Sequence, residues 1–315
     1  MGVQKESGVY SSIVVPLDGS VFGNEALPVA VTLAQRSDAF LHLVHVREPI
    51  RFPYGELPSA QVDTDSELRL RSELTGVVDR LARKGSLRVD AEFLVGDIDA
   101  TLRHYFEDSP HDLAVMMTHG RGGVRRSWLG SVADALVRHA PVPILLLRQE
   151  TPWLRAAAEP LFRRVLIPLD GSAMSESILD HVLSFGTPDA TEYVILSVVA
   201  PHRDIEAPDA QTDVSTGQSY DERQRDAARG YLDGVAVVLR SGGVPVTIRV
   251  EVHQETAQGI LDAALEHQAD LIALSTHGRG GLSRLLHGSV ADKVVRGATA
   301  PVLVCRPQES ATLHS

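Results

Sequence analysis

A duplication within the sequence constrains this chain more than any other feature. Thr118-His119-Gly120-Arg121-Gly122-Gly123, followed by Gly130-Ser131, returns as Thr276-His277-Gly278-Arg279-Gly280-Gly281, followed by Gly288-Ser289. Across 118–147 and 276–305, 17 of 30 aligned residues are identical. Each copy follows a short apolar run and leads into an amphipathic stretch, the pattern of a strand, a glycine-rich loop and a helix. Upstream, Ile-Val-Val-Pro-Leu-Asp-Gly-Ser at 13–20 is matched by Val-Leu-Ile-Pro-Leu-Asp-Gly-Ser at 165–172. The offset is 152 residues there and 158 at the loops, so the second copy carries a few insertions. Two units of ordinary domain size are expected, at 9–150 and 161–308, with a linker over Gln149–Pro160.

Within each unit, apolar runs of strand length alternate with helical spacing. Unit one predicts strands over 12–17, 40–46, 88–95, 113–118 and 143–147, and helices over 24–36, 65–84, 99–107 and 131–139. Unit two predicts strands over 164–169, 192–199, 246–252, 271–275 and 301–305, and helices over 175–185, 219–240, 257–267 and 289–296. Such alternation predicts an α/β fold: two tandem open parallel five-stranded sheets with helices on both faces. Glu48–Thr64 and Ala200–Gln218 are polar and proline-rich, each after a second strand. They read as surface loops, with a lid over a ligand crevice as the alternative.

Charge and cysteine usage bound the function. With 41 acidic against 30 basic residues, the net charge of -11 disfavours nucleic acid and anionic membranes as partners. No apolar run reaches the length of a membrane span, and Met1–Ser12 is too polar for a signal peptide. Cys305 is the single cysteine, so no intramolecular disulfide forms, and its apolar neighbours predict burial. A cytoplasmic location is expected.

In an open parallel sheet, ligands sit at the carboxyl ends of the strands, where the strand order reverses. Gly120, Gly122 and Gly123 let the backbone turn sharply there. Ser131 is predicted to cap the next helix with Asp134 as its partner, and Ser289 and Asp292 repeat the pattern. A helix start offers free N–H groups to a phosphate, whereas an acidic residue beside it opposes one. Asp18 and Asp170 end the first strands. Such a carboxylate either accepts from ribose hydroxyls or a hydrated metal, or caps its own Asp-Gly-Ser turn. Arg121, Arg125, Arg126, Arg279 and Arg284 either screen phosphate charge or are simply solvated. His42 and His45, three apart on one strand, point to opposite faces, and His119 and His277 orient the loops. No set of nucleophile, base and orienting residue is recognisable.

Pro-Leu-Asp-Gly-Ser at strand one and Thr-His-Gly-Arg-Gly-Gly with Gly-Ser at strand four, in this order and twice, carry a family resemblance. Each unit resembles a universal stress protein domain, and the chain resembles a tandem universal stress protein over nearly its whole length. Nucleotide-binding members of that family show Gly, two residues, Gly, nine residues, then Gly-Ser or Gly-Thr. The matching positions are Gly120, Gly130 and Ser131 in unit one, and Gly278, Gly288 and Ser289 in unit two. Met117 and Ser275 stand where the first glycine belongs, so the resemblance favours unit two as the working site.

The resemblance implies that Asp18 and Asp170 contact ribose or adenine, that Val46 and Val198 meet the base through backbone groups, and that Met116 and Leu274 line its pocket. It implies ATP as cofactor, free or with Mg2+, and pairing of the fifth strands into an intrachain pseudo-dimer or a homodimer. The expected function is an ATP-binding, stress-response regulatory module that is not an efficient enzyme. A nucleotide-free interaction protein and a slow ATPase are the alternatives.

Overall fold

Apolar runs buried on both faces build the centre of each sheet, and the helices between them close it. The computed structural model describes residues 10–18, 23–49, 60–83, 87–108, 112–118, 129–148, 160–187, 189–201, 219–276 and 289–306. The chain divides into two compact units between Ala158 and Glu159.

Unit one runs β1 (Ser12–Leu17), a 3-10 turn (Gly23–Ala26), α1 (Leu27–Ser37), β2 (Phe40–Arg47), α2 (Ala60–Ala82), β3 (Val89–Val95), α3 (Ile98–Asp108), β4 (Leu113–Met117), α4 (Ser131–His139) and β5 (Ile144–Leu147). Its strands are parallel, in the order β3-β2-β1-β4-β5. Unit two runs β6 (Arg164–Pro168), α5 (Ala173–Glu176), α6 (Leu179–Val182), a 3-10 turn (Leu183–Phe185), β7 (Glu192–Val199), α7 (Tyr220–Ser241), β8 (Val246–Val252), α8 (Thr256–Glu266), β9 (Leu271–Ser275), α9 (Ser289–Gly297) and β10 (Val302–Cys305). Its order, β8-β7-β6-β9-β10, is the same. Ile13, Val14, Val15, Leu113, Ala114 and Val115 are inaccessible to solvent, as are Val165, Leu166, Leu271 and Ile272.

Each unit closes the start of its central strands with a carboxylate. Asp112 accepts from the N–H groups of Ser11 (2.6 Å) and Ser12 (3.0 Å). Asp270 accepts from those of Arg163 (2.8 Å) and Arg164 (3.0 Å). Burial pushes the Asp270 carboxyl above its ordinary value, against the pull of these donors.

The two units solve one close approach in complementary ways. In unit one the strand end supplies Gly96, and a Cβ there would run into the Thr101 hydroxyl on α3. In unit two the helix supplies the glycine instead. A Cβ on Gly259 would lie 2.9 Å from both His253 Cβ and Val198 Cγ1. Small and large residues have changed places across the same contact.

Two expectations need correction. The segment 48–64 is not all loop, because α2 begins at Ala60; residues 50–59 and 202–218, where the lid reading falls, lie outside the described residues. The helix expected over 175–185 is broken into α5, α6 and a 3-10 turn. Serines break it. Ser175 Oγ donates to Ser172 O (2.8 Å), Ser177 Oγ to Met174 O (2.8 Å) and Ser184 Oγ to His181 O (2.6 Å), which competes with the helical ladder. By contrast, α7 carries a capping box: Glu222 N–H donates to Ser219 Oγ (3.3 Å) and Ser219 N–H to the Glu222 carboxylate (2.8 Å).

Gly259→Val is expected to lower stability by about 1–3 kcal/mol through overpacking. Thermal unfolding of the full chain reads this, and the further change His253→Gly is expected to recover part of the loss, since Val198 Cγ1 stays equally close. Equal stability of the single and double variants would contradict the exchange of small and large residues.

Candidate functional site

The crevice follows from the order of strands. Between β1 and β4, and between β6 and β9, the connections reverse direction, which is the switch point of such a sheet. β1 pairs with β2 along its whole length but with β4 only at Ile13↔Leu113 and Val14↔Ala114. β6 and β9 pair only at Val165↔Leu271 and Leu166↔Ile272. The ladder between each pair of strands therefore stops short of their carboxyl ends. Asp18 and Thr118 follow one such pair, Asp170 and Thr276 the other. Thr118 and Thr276 are buried, and their N–H groups donate to Leu147 O (3.0 Å) and Cys305 O (2.9 Å).

The chain returns to this point at the start of α4. Gly130 N–H donates to Thr118 O at 2.9 Å, and a Cβ on Gly130 would lie 3.2 Å from that oxygen. A side chain there would crowd the strand end, so glycine permits the approach. Gly130 itself is the N-cap, with φ -59° and ψ 152°, and as a glycine it brings no side chain of its own to cap the helix. Ser131 is exposed and is the first helical residue, so the expectation that it caps α4 with Asp134 is not met. Asp134 instead pairs with Arg138 one turn on, at 2.8 Å. Asp292 pairs with Arg296 at 3.0 Å in α9, which opens with Ser289. Each acidic residue that would repel a phosphate is thus offset by a guanidinium. A helix start leaves its first N–H groups to a side chain, a ligand or water.

The other sequence-predicted residues divide as follows. Val46, Met116 and Leu274 are buried, and Val198 is half-buried against the space kept by Gly259. Asp18 is exposed at the end of β1. Asp170 takes its own turn: Ser172 N–H (3.0 Å) and Oγ–H (2.6 Å) both donate to its Oδ1. Gly120, Gly278, Gly288, His119, His277 and the five loop arginines lie outside the described residues. Neither replacement of the first motif glycine lies exposed. Met117 is 8% exposed, and the Ser275 hydroxyl is 3.1 Å from Ser177 Oγ on the connection between α5 and α6. Cys305 is a free, buried thiol, pushed up to about 11 by desolvation.

Sequence reading placed His45 and His42 on one strand but missed their contacts, and it missed Ser177 and Tyr231 altogether. His45 is buried, donates Nδ1–H to Leu17 O at 2.7 Å and stacks on Phe93 at 5.3 Å, holding the residue before Asp18. Its partner on the other face, His42, meets Asp90 at 2.8 Å. Ser177 secures Ser275, and Tyr231 of α7 donates to Glu176 of α5 at 2.8 Å. Each contact spans distant parts of the chain, so no local pattern announces it.

Comparison with known proteins assigns the class. The sequence model of the Universal stress protein family matches residues 10–148 and again 161–306. The chain belongs to this family and carries two of its domains in tandem. It is similar to a universal stress protein of Mycolicibacterium smegmatis, 27% identical over 308 residues, covering 96% of this chain and 99% of that protein. Universal stress protein Rv2005c of Mycobacterium tuberculosis is 25% identical over 300 residues, covering 93% and 96%. The crystal structure of a universal stress protein from Archaeoglobus fulgidus shares the fold, with a TM-score of 0.68 at 18% identity, covering 94% of this chain and 98% of that one. Among the described residues, no helix is long and apolar enough to cross a membrane.

Because Ser131 is the first helical residue and not the N-cap, Ser131→Ala is expected to change stability by less than about 0.5 kcal/mol, whereas Ser219→Ala, which breaks a capping box, is expected to cost about 1 kcal/mol. Denaturant unfolding of the two variants checks the contrast. Equal losses would contradict the cap assignment.

Proposed function

We propose that this tandem universal stress protein is a cytoplasmic regulatory module that captures an adenine nucleotide, ATP free or as its magnesium complex, without efficient catalysis. The observation that carries the reading is the start of α4, folded by Gly130 onto the carboxyl end of β4. A phosphate fits there because N–H donors converge, the helix dipole favours an anion, and Asp134 is already paired. When bound, ATP would supply a charged phosphate chain and a flat base that bring the two sides of the crevice together.

The residues that would hold it are Asp18, Val46, Met116, Gly120, Gly130 and Ser131 in unit one. In unit two they are Asp170, Val198, Leu274, Gly278, Gly288 and Ser289. The aspartates would accept from ribose hydroxyls, the glycine loops would wrap the phosphates, and the serine hydroxyls would donate to them. Burial of Met117 and the tether on Ser275 support a site that tolerates the loss of the first glycine. Ser275 is the smaller residue, so unit two is proposed as the tighter site. Domain limits of 9–150 and 161–308 and pairing of the fifth strands, within the chain or between two copies, complete the reading. β5 and β10 are each the last strand on one side of their own five, next to β4 and β9, which leaves a ladder edge for such pairing.

One observation favours a second reading, a nucleotide-free interaction protein: the Asp170 carboxylate already serves its own turn through Ser172. Calorimetric titration of the full chain with ATP and magnesium separates the two. Uptake is expected, with a greater loss of affinity for Gly288→Val than for Gly130→Val. No heat at millimolar ATP, and no nucleotide carried through purification, would favour the second reading. Turnover abolished by Asp170→Ala with binding retained would instead reveal a slow ATPase.

A further inference from the structure

We infer that Tyr231 is a positioning residue for the nucleotide site of unit two, holding the turn that presents the Asp170 carboxylate. The inference rests on the nucleotide reading above and adds to it a residue on a different helix.

The turn is built from short pieces. Gly171 adopts φ 81°, the left-handed region that glycine enters freely. Ser172 donates twice to Asp170 Oδ1 and caps α5 by accepting from Ser175 N–H at 3.1 Å. Ser175 is buried, and its hydroxyl donates to Ser172 O at 2.8 Å. Asp170 N–H donates to the same hydroxyl at 3.3 Å. The whole motif ends after the four residues of α5. A helix of that length does not hold itself in water and depends on tertiary contacts.

Tyr231 provides such a contact. Its phenol donates at 2.8 Å to Oε1 of Glu176, the last residue of α5. Burial first, then the Glu176 carboxylate, pushes the phenol above its ordinary value, so it remains a protonated donor. The anchor behind it is firm, since α7 has 22 residues and a complete capping box.

The matching helix of unit one carries a different residue at this position. Leu74 and Gly76 of α2 correspond to Leu232 and Gly234 of α7, with both leucines buried. The same alignment places Glu73 where Tyr231 stands. Glu73 is exposed and pairs with Arg69 on its own helix at 3.2 Å. The tie therefore belongs to the unit whose motif departs least from the nucleotide-binding pattern.

Tyr231→Phe in the full-length chain keeps the ring and removes the donor. Affinity at unit two is read from protection of the Ser289–Gly297 amides against hydrogen exchange as nucleotide is titrated. The affinity for ATP is expected to fall about threefold to tenfold, the weight of one hydrogen bond. The affinity for 2′,3′-dideoxy-ATP, which lacks the ribose hydroxyls, is expected to stay unchanged. Tyr231→Phe added to Asp170→Asn should bring no further loss. Without nucleotide, exchange at Ser172 and Ser175 should quicken. Equal loss for both nucleotides, additive losses in the double variant, or unchanged exchange at Ser172 and Ser175 would overturn the role of Tyr231. Absence of any ATP uptake by the unaltered chain would instead overturn the nucleotide reading, and with it the positioning role that depends on it.

Discussion

Everything at the candidate site depends on where two parallel strands stop pairing. β1 and β4 share a ladder only at their starts, and β6 and β9 do the same. Beyond those pairs, each backbone must find partners elsewhere or meet a ligand. Thr118 and Thr276 turn their N–H groups to the next strand, while Thr118 O takes Gly130 N–H. The returning helix is thereby aimed at the gap, with a glycine as its N-cap. Sheet order, glycine and helix dipole converge on one point, and the proposed anion site rests on that convergence.

Duplication has kept this geometry and varied its supports. The close approach of strand and helix is relieved by Gly96 in unit one and by Gly259 in unit two. His45 braces the end of β1 in unit one, where Ser197 occupies the matching register position on β7. Tyr231 braces the turn after β6 in unit two, where unit one has the solvated Glu73. Packing density allows such exchanges only when a gain on one side is met by a loss on the other.

Much of the fold was legible because its strands are unbroken apolar runs, such as Ile144–Leu147, that admit one reading. The positions of Asp18 and Asp170 were legible for the same reason, as the first polar residues after such runs. The break between α5 and α6 was not. Serine supports both a helix and hydrogen bonds that compete with one, and only three-dimensional context decides. The cap of α4 was misread because Ser131 has the right chemistry while Gly130 holds the N-cap position. Bonds from His45 to Leu17, Tyr231 to Glu176 and Ser177 to Ser275 span 28, 55 and 98 residues, beyond the reach of any periodicity.

The most direct test is residue-resolved hydrogen exchange of the full chain as ATP is added. Slowed exchange is predicted in the first turns of α4 and α9 and at the ends of β2 and β7, with α9 responding at the lower nucleotide concentration. Unaltered exchange at both helix starts in millimolar ATP would contradict an adenylate site at the strand ends.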